Sequence, residues 1–142
     1  MKKYCCDHPM DYGPEPWVTN VERQSSQNQN FRTAIWTGCR LQMTLMCIPT
    51  CKEIGKECHP DTDQVLRVEM GRAVVLMGTC ENRWDMRQNI SRGDVVFVPA
   101  GTWHNIMNTG RCPLKLTSVY APPNHPRGTV HRTKAEAEME EY

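Results

Sequence analysis

The run Gly93-Asp94-Val95-Val96-Phe97-Val98-Pro99-Ala100-Gly101-Thr102-Trp103-His104-Asn105 constrains this chain more than any other stretch. Four β-forming residues, Val95 to Val98, lie between turn-forming residues on both sides, the pattern of a buried strand. Pro99 has no N–H to give to a sheet ladder, so the strand must end or bend there. Gly101 tolerates a positive φ, which lets the chain reverse and re-enter as a second strand carrying His104. An imidazole placed just past a rigid turn is held at a fixed depth relative to the sheet. That placement suits a metal ligand.

Similar signals recur along the chain. Phe31 to Trp36 and Leu41 to Ile48 read as strands separated by Gly38. Gln64 to Val68 and Arg72 to Met77 predict a hairpin around Gly71, closed by Gly78. Trp103 to Asn108 and Leu114 to Tyr120 complete the set. Many short strands with regular turns and little helical periodicity predict an all-β sandwich or barrel. The 142 residues suffice for one domain with its own core. Residues 1–30 read as a poorly structured N-terminal arm, interrupted by Pro14 and Pro16 and ending in the polar loop Gln24 to Asn30. Residues 31–122 form the predicted barrel, and 123–142 a tail. Within that tail Thr133-Lys134-Ala135-Glu136 is a capping-box pattern, Thr133 capping and Glu136 reaching back to its N–H. It predicts a short, solvated C-terminal helix.

Composition removes several classes of function. Seventeen basic and sixteen acidic residues leave a net charge of +1, without the basic footprint of a nucleic-acid binder. No apolar run approaches membrane-spanning length, and Met1 to His8 lacks the apolar core of a secretory signal. A cytoplasmic location is the expectation. Eight cysteines, at 5, 6, 39, 47, 51, 58, 80 and 112, form no C-x-x-C pair, which argues against a thiolate zinc site. Free thiols are expected in such a compartment. Neither a G-x-S-x-G elbow nor a phosphate-binding glycine loop is present.

Gly93, Pro99, Gly101, His104 and Asn108 occupy the positions of the second signature of the cupin superfamily, which the run resembles. Upstream, Gly55-Lys56-Glu57-Cys58-His59-Pro60-Asp61-Thr62-Asp63-Gln64, closing with Gly71, matches the frame of the first. The resemblance spans about residues 31 to 132. It implies a single-domain cupin jelly-roll barrel, similar to a small bacterial subfamily of unassigned reaction. It also implies four metal-site positions, which fall on Glu57, His59, Gln64 and His104. Two depart from the family pattern: Glu57 stands where the first histidine is usual, and Gln64 where the glutamate is.

A site remains chemically plausible on those residues. Glu57 and His59 are two apart, so on a strand both project to one face. The carboxylate missing at 64 is present at 57, which keeps the formal charge. Two histidines and one carboxylate are also the ligand set of non-haem Fe(II) oxygenases, so one divalent ion is expected, Fe(II) ahead of Zn, Mn or Ni. Gln64 would be a weak fourth ligand or would orient a bound water. Asp63 competes with Gln64, since neighbours on a regular strand face opposite ways. The contrary reading is a pocket without metal, with Gln64 as polar wall, His104 as a turn histidine and Glu57 as a surface acid.

Other residues draw weaker expectations. Cys58, between Glu57 and His59, should face away from them. His125 and His131 could serve at the barrel mouth but read first as loop histidines. His8 lies in the arm. Met43, Met46, Met70 and Met77 read as core filler rather than copper ligands. Trp103 reads as packing under the turn, and Tyr120 could turn its hydroxyl inward. The resemblance allows dioxygenase, decarboxylase or sugar-isomerase chemistry on a small oxygen-rich metabolite. A non-catalytic cupin that binds a small ligand or metal, as sensor or store, is the alternative. Since such barrels commonly pair through their sheets, a homodimer is expected.

Overall fold

The computed structural model describes residues 11–140. Its elements run α1 (Val21–Gln27), β1 (Arg32–Thr37), β2 (Gln42–Ile48), β3 (Asp63–Met70), β4 (Arg72–Gly78), β5 (Met86–Ser91), β6 (Val95–Val98), β7 (Trp103–Asn108), β8 (Leu114–Ala121), β9 (Val130–His131) and α2 (Lys134–Glu140). The strands form a six-stranded sheet, β6-β3-β8-β2-β1-β9, and a three-stranded sheet, β5-β4-β7. Neighbouring strands pair antiparallel, as in a jelly roll. Among the described residues, no helix is long and apolar enough to cross a membrane.

The register divides the inner face of the large sheet into two halves. Gln42, Tyr120, Gln64 and Val98 lie side by side across β2, β8, β3 and β6. The next inward row is Thr44, Ser118, Leu66 and Val96, and below it Met46, Leu116 and Val68. One end of the barrel is therefore lined with polar side chains. The other is mainly hydrocarbon, where Met46, Ile48, Leu66, Val68, Leu114 and Leu116 belong to one continuous core, with Arg32 of β1 opposite Met46.

Several expectations are corrected. β3 and β4 are not a hairpin: β3 pairs with β6 and β8, whereas β4 pairs with β5 and β7. Only Gly71 separates them, too short a link for a two-residue hairpin loop. Its φ of +98° turns the chain from one sheet into the other. β6 is an edge strand with one buried face. Val96 and Val98 point inward, while Val95 and Phe97 are exposed. A four-residue apolar run cannot reveal which of its faces is wet. β5 was not expected because its residues are nearly all exposed and show no alternation. Met46 is core and Met77 packs against it, but Met70 is exposed.

The end segments are more ordered than their composition implied. The arm expected to be poorly structured contains α1, whose second half falls in the stretch predicted as a polar loop; Asn20 caps it, its Oδ1 accepting the Arg23 N–H at 2.9 Å. α1 lies against β8, β3 and β2, and the buried Lys115 ammonium donates to the Asn28 carbonyl at its C-terminal end. This helix is held by caps and tertiary contacts, which hydrophobic periodicity does not register. In front of it, the buried Asp11 carboxylate accepts the N–H groups of Gly13, Thr37 and Gly128 and the Thr37 hydroxyl. Arg127 completes this clasp by donating to the Asp11 and Gly13 carbonyls. In the tail, Thr133 caps α2 by accepting the Glu136 N–H at 3.2 Å. Glu136, however, accepts from the Arg132 N–H rather than that of Thr133. Nor is α2 wholly solvated, since Ala137 is buried in the core. His8, Cys5 and Cys6 lie outside the described residues.

Candidate metal centre

Glu57 and His104 are brought together by backbone pairing. Each donates its N–H to the other's carbonyl at 2.9 Å, an isolated antiparallel bridge between the segment before β3 and the start of β7. Directly opposed residues in such a pair project to the same face. His59 is tied to the reversing turn, where the Gly101 N–H donates to its carbonyl at 2.9 Å. Gly101 has φ +81° there, as the turn requires. Asp63 braces the same turn by accepting the Ala100 N–H at 2.8 Å, with its side chain exposed.

The result is a compact group. One donor atom each from Glu57, His59 and His104 lie within 4.8 Å of one another. His59 Nε2 is 3.3 Å from Glu57 Oε2, and the two imidazole centroids are 5.4 Å apart. His104 Nδ1 lies 2.9 Å from the Thr102 carbonyl, which accepts only if Nδ1 carries the proton. That leaves a lone pair on Nε2, the arrangement found in metal-bound histidines. His104 Nε2 and Gln64 Oε1 are buried without a hydrogen-bond partner, and His59 Nε2 has the 3.3 Å contact with Glu57 Oε2 but no aligned hydrogen bond. Buried polar atoms of this kind require an explanation, and a cation supplies one. Gln64 reaches the interior from β3 and spends its amide N–H on Ser118 Oγ at 2.8 Å. Of the two rivals at 63 and 64, then, Gln64 points into the barrel and Asp63 serves the turn.

The electrostatics suit the same purpose. Burial pushes the Glu57 carboxyl up, but its contact with His59 and the nearby charges of Arg32, His59 and His104 outweigh that and leave it below its ordinary value. Burial also pulls the His104 imidazole down, so at neutral pH it offers a lone pair rather than a proton. Tyr120, fully buried 5.8 Å from the His59 ring, is raised by desolvation and stays a neutral phenol.

A cavity of about 570 Å³ opens above the group, bordered by His59, Trp103, His125 and His131 among others. Trp103 therefore faces this opening, with the Lys56 ammonium 5.9 Å from its ring, instead of packing under the turn. Cys58 also borders the cavity, although it is not one of the clustered donors. His125, in the loop between β8 and β9, and His131, in β9, both border the cavity. His125 sits edge-on to Tyr120 at 5.3 Å. Burial, followed by the charge of Arg32, lowers His125 to about 3.

A pH dependence follows for His125. The unfolded imidazole takes up a proton near its ordinary value of 6.5, and the folded one only near 3. Its contribution is therefore fully present above pH 6.5 and is lost as the pH falls from about 6.5 to about 3. In His125→Asn, the fall in melting temperature of metal-free protein between pH 6.5 and pH 4 should be shallower than in the wild type. Parallel curves would refute it.

One residue of this interior was not singled out from the sequence. Arg32 enters from β1, 3 % exposed, beside His131 of β9. The available signal was a lone charge inside the apolar run Phe31 to Trp36.

Comparison with known proteins agrees with this geometry. The family model described as the cupin domain matches residues 44–120. "Uncharacterized protein YrkC" of Bacillus subtilis is 54% identical over 127 residues, 89% of this chain and 68% of that protein. "Uncharacterized protein L612" of Acanthamoeba polyphaga mimivirus is 36% identical over 115 residues, 80% of this chain and 70% of that protein. Among solved structures, BH2720 from Bacillus halodurans superposes with a TM-score of 0.91 at 50% identity, covering 92% of this chain and 98% of that one. Fold, signature residues and relatives together place the chain in the cupin superfamily.

Proposed function

We propose that this cupin is a metal-dependent enzyme acting on a small oxygen-rich metabolite, with Glu57, His59 and His104 holding one divalent ion and Gln64 beside it. The observation that carries this reading is the pair of buried imidazole Nε2 atoms, neither with an aligned hydrogen bond, facing an ionised carboxylate. Two histidines and one carboxylate favour Fe(II) and, with it, dioxygenase chemistry; decarboxylase and isomerase chemistry suit Zn, Mn or Ni. A bound ion would supply Lewis-acid polarisation or, as iron, oxygen activation. The chain's own residues do the rest. Thr102 keeps the His104 proton on Nδ1. The Glu57–His104 backbone bridge fixes the distance between two donors. His125 and Tyr120, both neutral at pH 7, wall the approach without adding charge.

Elemental analysis of protein purified anaerobically without added metal tests the reading, with His104→Ala in parallel. Near-stoichiometric iron that disappears in the variant would support an oxygenase site, and zinc, manganese or nickel would support Lewis-acid chemistry. A wild-type protein that takes up no metal even on reconstitution would overturn the proposal and leave a ligand-binding cupin.

A further inference from the structure

Among the described residues, six buried side-chain atoms lack a hydrogen-bond partner, and five of them belong to residues lining the barrel: Arg32 Nε, Thr44 Oγ1, His59 Nε2, Gln64 Oε1 and His104 Nε2. A divalent ion answers the two imidazoles and can answer Gln64. It cannot answer Arg32, because a cation repels a guanidinium. Arg32 therefore needs an account of its own.

Its surroundings narrow the choice. Arg32 faces inward across from Met46, a core residue. Its Nη1 is 3.2 Å from His131 Nδ1, and His131 Nε2 is 2.5 Å from Glu140 Oε2. A proton on Nε2, donated to Glu140, leaves Nδ1 to accept from Arg32. The histidine thus gives the guanidinium one hydrogen bond and no charge. Arg32 and Glu57 border the same cavity, so the guanidinium lies on the Glu57 side of the candidate metal centre. Yet no carboxylate of the described residues comes within 4.0 Å of it. Five N–H donors in a planar fork match two oxygens on one edge of an anion. Arg32, Lys56 and Lys134 border one cavity of about 180 Å³ together with Glu57 and Glu138, so three cations face two carboxylates, and the single excess positive charge suits a monoanion better than a phosphate dianion.

We infer that the small molecule bound in this barrel is a carboxylate, its carboxylate group received by Arg32 and the rest of it directed toward Glu57, His59 and His104. The orientation toward the ion rests on the metal-dependent reading above; the anion site at Arg32 does not.

Calorimetric titration tests this with five acids, acetate, glycolate, pyruvate, malonate and benzoate, each beside its neutral amide. Wild type, Arg32→Gln and Arg32→Lys are compared, metal-free and metal-loaded. At least one acid should bind the wild type about tenfold or more tightly than its amide. Arg32→Gln should weaken that acid by about tenfold to a hundredfold with metal content unchanged, and Arg32→Lys should retain part of the affinity. Five acids that do not bind, acids and amides that bind alike, or a folded Arg32→Gln with wild-type affinity would each overturn the inference. The acid–amide comparison in the wild type decides the matter even if neither variant folds. Acid binding that survives in a protein taking up no metal would keep the carboxylate site and remove the metal-dependent reading. Metal binding with no preference for acids would do the reverse.

Discussion

Asp11→Ala should lower the free energy of unfolding by about 3–6 kcal/mol, because it removes a buried carboxylate that satisfies four donors at once. The carboxylate is 4 % exposed and accepts four hydrogen bonds, from Gly13, Thr37 (twice) and Gly128, at 2.6 to 3.0 Å. Removing the acceptor leaves three N–H groups and one hydroxyl to find water in a site built without it. Each orphaned donor costs about 1–3 kcal/mol, with partial relief as water enters. Against a total of roughly 5–15 kcal/mol, this is a large fraction of the stability. Asp11→Asn should fall between, since one amide oxygen can still serve two N–H groups while its NH₂ faces the remaining two donors. Urea unfolding at pH 7 checks both variants. A loss below about 1 kcal/mol for the alanine variant would mean that the clasp is not what ties the early chain and the tail to β1.

The second large effect is on metal binding. Glu57→Ala should reduce the affinity for a divalent ion by more than about a hundredfold, since loss of an outer partner alone typically costs tenfold to a hundredfold. The carboxylate is the one anion in the donor group, and the remaining donors are two imidazoles beside an arginine charge. The backbone bridge to His104 does not depend on the side chain, so the fold should persist. Competition against a chelator of known affinity measures the change. An affinity within tenfold of the wild type would remove Glu57 from the ligand set.

Much of this architecture can be read along the chain, because its glycines and prolines sit where strands must stop. The Pro99–Gly101 turn and the placement of His104 follow from local chemistry alone. The inward position of Gln64 rests on the family resemblance through Gly55 and Gly71, because strand alternation alone does not choose between Asp63 and Gln64. What cannot be read is whatever depends on distant partners. Whether Gln64–Val68 and Arg72–Met77 pair with each other or with strands far away is decided by β5, β6, β7 and β8. α1 depends on Asn20 and Lys115, residues 95 positions apart in the numbering. Arg32 faces inward from a strand whose other residues are mostly apolar, and only the closure of β9 beside β1 brings it next to His131. Trp103 and His125 likewise become wall residues only after the tail folds over the mouth.

The change from polar to apolar lining along the large sheet also sets a depth limit. Two inward rows, at Gln42 and Thr44 on β2, span about 7 Å before Met46 and Leu116 close the floor. Gln42, Thr44, Ser118 and Tyr120 are themselves fully buried and do not border the 570 Å³ cavity, so the open space ends above these rows and the floor beneath them is already filled. Admitting longer molecules would require cutting back Met46 or Leu116, at about 2–5 kcal/mol for each such truncation. The depth open to any ligand is thus set by residues that also keep the barrel folded, so cavity size and stability cannot be altered independently.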